Sequence, residues 1–210
     1  MRLTAKRTVL TISLFAFLAL IPMSCGIFCQ DSCGCGPSAP PQDLIIKSMQ
    51  LLTLGPTGQT VNPLDTLSYN QVFKSLEVKE FEIKLLSENF SPGPSFGLAY
   101  ACSPLPVYSR DEINAIRIRN KTSVTLADGT TLNPQQDISS YFGMAFFYTD
   151  KLSTIQEFIG KGRYFFFGEN FKLGFKQSPG KALKLEFDVE VTFKSGKAFL
   201  LENQVLSIRG

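Results

Sequence analysis

Between Leu183 and Phe193 the chain reads Leu-Lys-Leu-Glu-Phe-Asp-Val-Glu-Val-Thr-Phe, apolar and polar by turns without a miss. A period of two over that length fits a strand with one buried and one solvated face, and fits no helix. Such a strand needs sheet neighbours and a second layer over its apolar side. Ser195-Gly196 supplies a turn, and Ala198 to Ile208 reads as the returning partner.

The same pattern recurs through the body of the chain. Glu112 to Arg119 alternates, with Ile116 and Ile118 on one face, and Thr122 to Leu126 leads into an Asp128-Gly129 turn. Arg163 to Phe167 and Phe171 to Lys176 suggest an aromatic hairpin around Gly168-Glu169-Asn170. Asp43 to Leu54 and Met144 to Tyr148 add apolar strands. From Leu76 to Leu85 the alternation changes phase at Lys79-Glu80, and one extra residue there, a β-bulge, restores it. Helix is minor: Thr154-Ile155-Gln156-Glu157 has the form of a capping box, and Pro134 to Phe142 suggests one further turn. About eight strands with turn signals between them predict an all-β chain, a single antiparallel β-sandwich of immunoglobulin-like type over residues 43–210.

The front of the chain is organised differently. Arg2, Lys6 and Arg7 precede the thirteen-residue apolar run Val9 to Ile21, and Ser24 stands before Cys25. Basic, apolar and small-residue regions in that order form a secretory signal over residues 1–24. The run is shorter than the roughly 20 residues of a spanning helix. Removing residues 1–24 takes away three of 21 basic residues and none of the 18 acidic ones, leaving 18 against 18. A neutral mature chain gives no reason to expect a nucleic-acid partner.

Signal, small residue and cysteine in this order resemble a bacterial lipoprotein signal, with Pro22 where that family carries Leu, Val or Ile. The resemblance implies that Cys25 is diacylated, becomes the first residue and is N-acylated, which anchors the chain in a membrane. The alternative is an ordinary exported cysteine with cleavage elsewhere. The Cys-rich start and alternating strands are similar to small uncharacterised lipoproteins of the Bacteroidota, a family of unknown function. Gly26 rather than Asp follows Cys25, and Gly26 to Gln30 contains no acid. By that resemblance, an outer-membrane anchor facing the periplasm is favoured over the cell surface.

Cys29, Cys33, Cys35 and Cys102 remain. An even number in an oxidising compartment points to two disulfides, with three possible connectivities. Pairing Cys102 with Cys33 or Cys35 would staple the tether to the body, with Cys29 in a local ring. A soft-metal site is the alternative, but the cysteine spacing is not that of a zinc ribbon and the chain has no histidine. Gly36 to Gln42 carries three prolines and reads as an extended spacer, so residues 25–42 form a Cys-rich tether.

Motifs for chemistry are few. With no histidine, most nucleophile–base pairs are excluded. Gly93-Pro94-Ser95-Phe96-Gly97 matches a nucleophile elbow in letters, yet prolines precede the serine and strand-like residues follow. Ser178-Pro179-Gly180-Lys181 matches S-x-x-K, but Pro-Gly marks a turn. Glu186, Asp188 and Glu190 share one strand face and could form an acid–base pair or a cation site; the plainer reading is a solvated face balanced by Lys184 and Lys194. Most of the nineteen phenylalanines are expected in the core. Asp65-Thr66-Leu67 resembles the O-glycosylation signal of exported Bacteroidota proteins, which implies a glycan on Thr66. No catalytic, cofactor-binding or metal-binding residues are assigned. The expectation is a non-enzymatic envelope protein that contacts another envelope protein or has a structural role, with a glycan or small-ligand binding module as the alternative.

Overall fold

The computed structural model of the chain describes residues 42–86, 107–149 and 151–210. Two antiparallel sheets pack face to face. The first holds β1 (Gln42–Leu54), β3 (Phe73–Leu85), β9 (Asn170–Phe175), β7 (Phe142–Phe146) and β8 (Ser153–Thr154), in that spatial order. The second holds β2 (Leu67–Ser68), β11 (Ala198–Arg209), β10 (Leu183–Phe193) and β4 (Ile113–Asn120), with only β2 running parallel to its neighbour. A small hairpin, β5 (Val124–Thr125) with β6 (Thr131–Leu132), stands apart from both sheets.

Taken in chain order, the long strands β1-β3-β9-β7 and β11-β10-β4 reproduce the A-B-E-D and G-F-C sheets of an immunoglobulin constant-type domain. Phenylalanines bridge the two sheets: Phe142 of β7 meets Phe187 of β10 with ring centroids 5.3 Å apart. Phe165 lies between Phe171 of β9 and Phe193 of β10, at 4.7 and 6.3 Å. All five rings are buried.

The alternating strand behaves as its pattern requires. Every odd position of β10 from Leu183 to Phe193 is buried, and the β10–β11 hairpin turns at Ser195-Gly196 with Gly196 at φ 87°. The phase change in β3 is a bulge. Ile46 faces Phe81, Ser48 faces Glu80 and Met49 faces Val78, so Lys47 on β1 and Lys79 on β3 are both passed over. The paired bulges keep Leu44, Ile46 and Met49 on the inner face alongside Leu76. The capping box forms too. Glu157 N–H donates to Thr154 Oγ1 at 3.2 Å, Thr154 N–H donates to Glu157 Oε2 at 3.0 Å, and α1 (Ile155–Ile159) follows. The turn expected within 134–142 is a 3₁₀ turn at Ser139–Tyr141.

One element differs from expectation. Residues 163–167 do not pair with β9 as a hairpin. Ile113, Ser109 and Phe167 N–H groups donate to Arg163, Phe165 and Val107 carbonyls, so this segment runs beside 107–113. Three consecutive phenylalanines break the alternation a hairpin arm needs: Phe165 is buried, and both Phe166 and Phe167 are exposed.

Candidate functional site

The sheet edges are mostly covered. On β4, Ile118 N–H donates to Ser139 Oγ at 2.8 Å and its carbonyl accepts from Ile138 N–H at 2.8 Å, while Asn120 N–H donates to the Gln136 carbonyl at 2.9 Å. On β1, Leu44 N–H donates to the Tyr108 carbonyl at 3.0 Å, and Lys197 Nζ donates to the Ile46 carbonyl beside the bulge.

β3 is the exception. It pairs with β1 along its length but with β9 only from Lys74 to Glu77. Beyond Glu77, its second edge has no partner among the described residues up to Leu85. Two local features end the β9 pairing: Gly168, at φ 76°, turns the chain just before β9 starts at Asn170, and the Lys79 bulge bends β3 away.

This edge, unpaired among the described residues, carries apolar side chains. After the bulge, Phe81, Ile83 and Leu85 take the inner-face phase, yet they are 40%, 45% and 53% exposed. Leu86, Phe166 and Phe167 extend the exposed area, and Phe167 meets Phe81 edge-on at 5.2 Å. A cleft of about 160 Å³ opens between Val78 and Phe81 on one side and residues 166–170 on the other. Burial in its wall pushes the Glu169 carboxyl above its ordinary range, with the Arg163 charge acting against that. The Arg163 guanidinium lies 4.8 Å from the ring centres of both Phe146 and Phe158. On the outer face of the same edge, Lys47 pairs with Glu82 at 2.7 Å, and Ser48 Oγ donates to Glu80 Oε2 at 3.0 Å.

A second concavity lies at the other end of β3 and β9. This groove, of about 620 Å³, is lined by Tyr69, Asn70, Phe73, Lys172, Lys176 and Gln177 among others. Lys172 Nζ stands 4.8 Å from the centre of the Phe73 ring and donates to the Thr149 carbonyl.

The sequence did not draw attention to Lys74. Its side chain is 2% exposed on the inner face of β3, opposite Thr53, and Nζ donates to Thr53 Oγ1 at 2.8 Å. Burial lowers its pKa from 10.5 to about 8. The signal was present in the letters, since Lys74 shares the phase of Leu76 and Val78, ahead of the bulge.

The three strand carboxylates each meet a cation. Glu186 pairs with Lys184 at 2.7 Å, Asp188 with Lys121 at 3.5 Å, and Glu190 approaches Arg119 at 3.9 Å. Asp188 Oδ1 also accepts from Asn203 N–H at 2.7 Å, at a bulge where Asn203 adopts φ 57°. Lys194, expected to balance this face, instead pairs with Glu112 at 2.7 Å across the β10–β4 ladder, and its hydrogen bond holds the Glu112 carboxyl below the usual range. The Ser178 hydroxyl accepts from Gly180 N–H at 3.1 Å, the geometry of a local turn, with Gly180 at φ 72°. Thr66 is exposed in the loop before β2. Cys25, Cys29, Cys33, Cys35 and Cys102 lie outside the described residues, as does Gly93 to Gly97. Among the described residues, no group of three or more His, Cys, Asp or Glu could hold a metal ion. No helix among them is long and apolar enough to cross a membrane.

No family model matches the chain, and no curated protein matches it in sequence. Solved structures that share its β-rich character include the C-terminal domain of the Streptococcus agalactiae AgI/II polypeptide BspA, with 12% identity, 78% of this chain covered and a TM-score of 0.27. The C-terminal domain of the Streptococcus pyogenes antigen I/II-family protein AspA is similar at 14% identity, 81% coverage and a TM-score of 0.23. The match takes in 50% and 46% of those two chains, about half the length of each. Likenesses at these scores carry no argument about this protein's activity.

Proposed function

We propose that the chain is an exported lipoprotein whose sandwich is a non-enzymatic contact module of the cell envelope. In this reading residues 1–24 are removed and Cys25 is acylated. Residues 25–42 then form the tether, and the sandwich of residues 43–210 sits in the periplasm on an outer-membrane anchor. Cys29, Cys33, Cys35 and Cys102 form two disulfides, and Thr66 is a candidate glycan site.

The observation that carries the contact reading is the edge of β3 beyond Glu77, unpaired among the described residues, with its apolar surroundings. An unpaired edge beside exposed Phe, Ile and Leu is a surface that soluble monomers normally blunt or cover. Its position supports the same reading, because Gln42 pairs with Leu85 and the tether therefore meets the sandwich beside these side chains. Chemical crosslinking and affinity purification from envelopes tests it: Phe167→Glu should lose the partners that the parent chain retains. Equal recovery from both chains would refute a contact at this edge.

The groove between Tyr69 and Gln177 favours a second reading, a binding module for a glycan or other small ligand. Its polar lining and two lysines suit an anionic or hydroxyl-rich molecule. A glycan-array or thermal-shift response abolished by Lys172→Ala would support that reading over the first.

A further inference from the structure

We infer that the partner taken by the free edge of β3 is the same edge of a second copy of this chain, joined antiparallel into one continuous sheet. The inference rests on the contact reading above and names its partner. Two copies related by a two-fold axis normal to the sheet pair residues whose numbers have a constant sum. Opposed side chains must lie on one face, so the sum is even. With the axis at Glu82, Phe81 of each copy lies opposite Ile83 of the other on the inner face, and Glu80 lies opposite Lys84 on the outer face. The arrangement thus places two apolar pairs and two opposite-charge pairs across the seam.

The central Glu82 side chains oppose one another, but each is already paired with Lys47 at 2.7 Å. Two other registers bear comparison. An axis at Phe81 sets Glu80 against Glu82 twice and brings Glu77 into the seam, where Asn170 of β9 already pairs with it. An axis at Ile83 likewise gives two opposite-charge pairs, Glu82 against Lys84, and two apolar pairs, Phe81 against Leu85, over an equal span, so Lys84 is the cation of the seam in both registers. The bulge at Lys79 marks the end of the usable edge, because β9 takes over at Glu77. The tether position fits as well. Leu85 lies three residues from the axis, about 10 Å at strand spacing, so both tethers leave near the centre of the dimer and can reach one membrane.

The test uses the full chain exported with Cys25→Ala, so that it is soluble, measured by sedimentation equilibrium with and without reductant. A dimer should form at micromolar to high-micromolar concentration. Lys84→Glu should weaken it about tenfold or more, and adding Glu80→Lys should restore it if the axis is at Glu82, or adding Glu82→Lys if it is at Ile83. All three positions are exposed, so the variants keep the fold, and circular dichroism checks this. A monomer throughout, or a dimer indifferent to Lys84→Glu, or rescue by neither double variant, overturns the inference. A photoreactive residue at position 167 then separates the two levels. A monomer that crosslinks to a different envelope protein removes the self-pairing and leaves the contact reading. A monomer without any adduct removes both.

Discussion

Replacing Lys74 with methionine should stabilise the sandwich at neutral pH and do the opposite in strong base. Burial lowers the amine from 10.5 to about 8, and its partner is a hydroxyl rather than a carboxylate. At 1.36 kcal/mol per pKa unit, keeping the ammonium buried costs about 3 kcal/mol wherever both states are protonated, which is below pH 8. Between pH 8 and 10.5 the unfolded chain binds a proton that the folded chain has released, so the parent gains stability as pH rises. Methionine matches the volume without the charge but leaves Thr53 without its donor, a loss of about 1 kcal/mol. The variant should therefore be more stable than the parent by about 2 kcal/mol at pH 7. By pH 10.5, where the parent amine is neutral and still bonded, it should be less stable by about 1 kcal/mol. Urea unfolding of both proteins across this range gives the difference directly, and cancels the titration of the tyrosines common to both. A difference that does not change with pH, or a variant destabilised at pH 7, would refute the account of Lys74 as a buried, uncompensated charge.

Phe187→Ala removes the ring that meets Phe142 across the sandwich and should cost about 3–5 kcal/mol in denaturant unfolding. Cys25→Ala should move the chain from the membrane to the soluble fraction on fractionation; continued sedimentation with membranes would contradict the lipid anchor. Thiol counting in denaturant on the exported chain should find no free cysteine; two or more would contradict two disulfides and reopen the metal alternative.

Strands and turns were legible because the buried face of a sandwich imposes period two on each strand. The β10 pattern marks both its partner and its turn, and the phase slip at Lys79 marks the bulge. Pairing across distant sequence was less legible. The Arg163–Phe167 segment has strand composition, but its choice of residues 107–113 over β9 depends on chain path, which local pattern does not encode. Likewise Lys194 meets Glu112 because β4 lies beside β10, a neighbour relation absent from either strand alone. The contact surface was invisible for the same reason. Phe81, Ile83 and Leu85 continue the inner-face phase of β3, and they are exposed on the stretch where β9 no longer pairs with it.

Site-specific photocrosslinking in intact cells tests the central claim most directly, with the probe placed in turn at Phe167 beside the β3 edge and at Leu64, which is exposed in the loop between β1 and β2. The account predicts a discrete adduct from position 167 and none from position 64. No adduct from either position, or the same adducts from both, would contradict a contact surface at the free edge of β3.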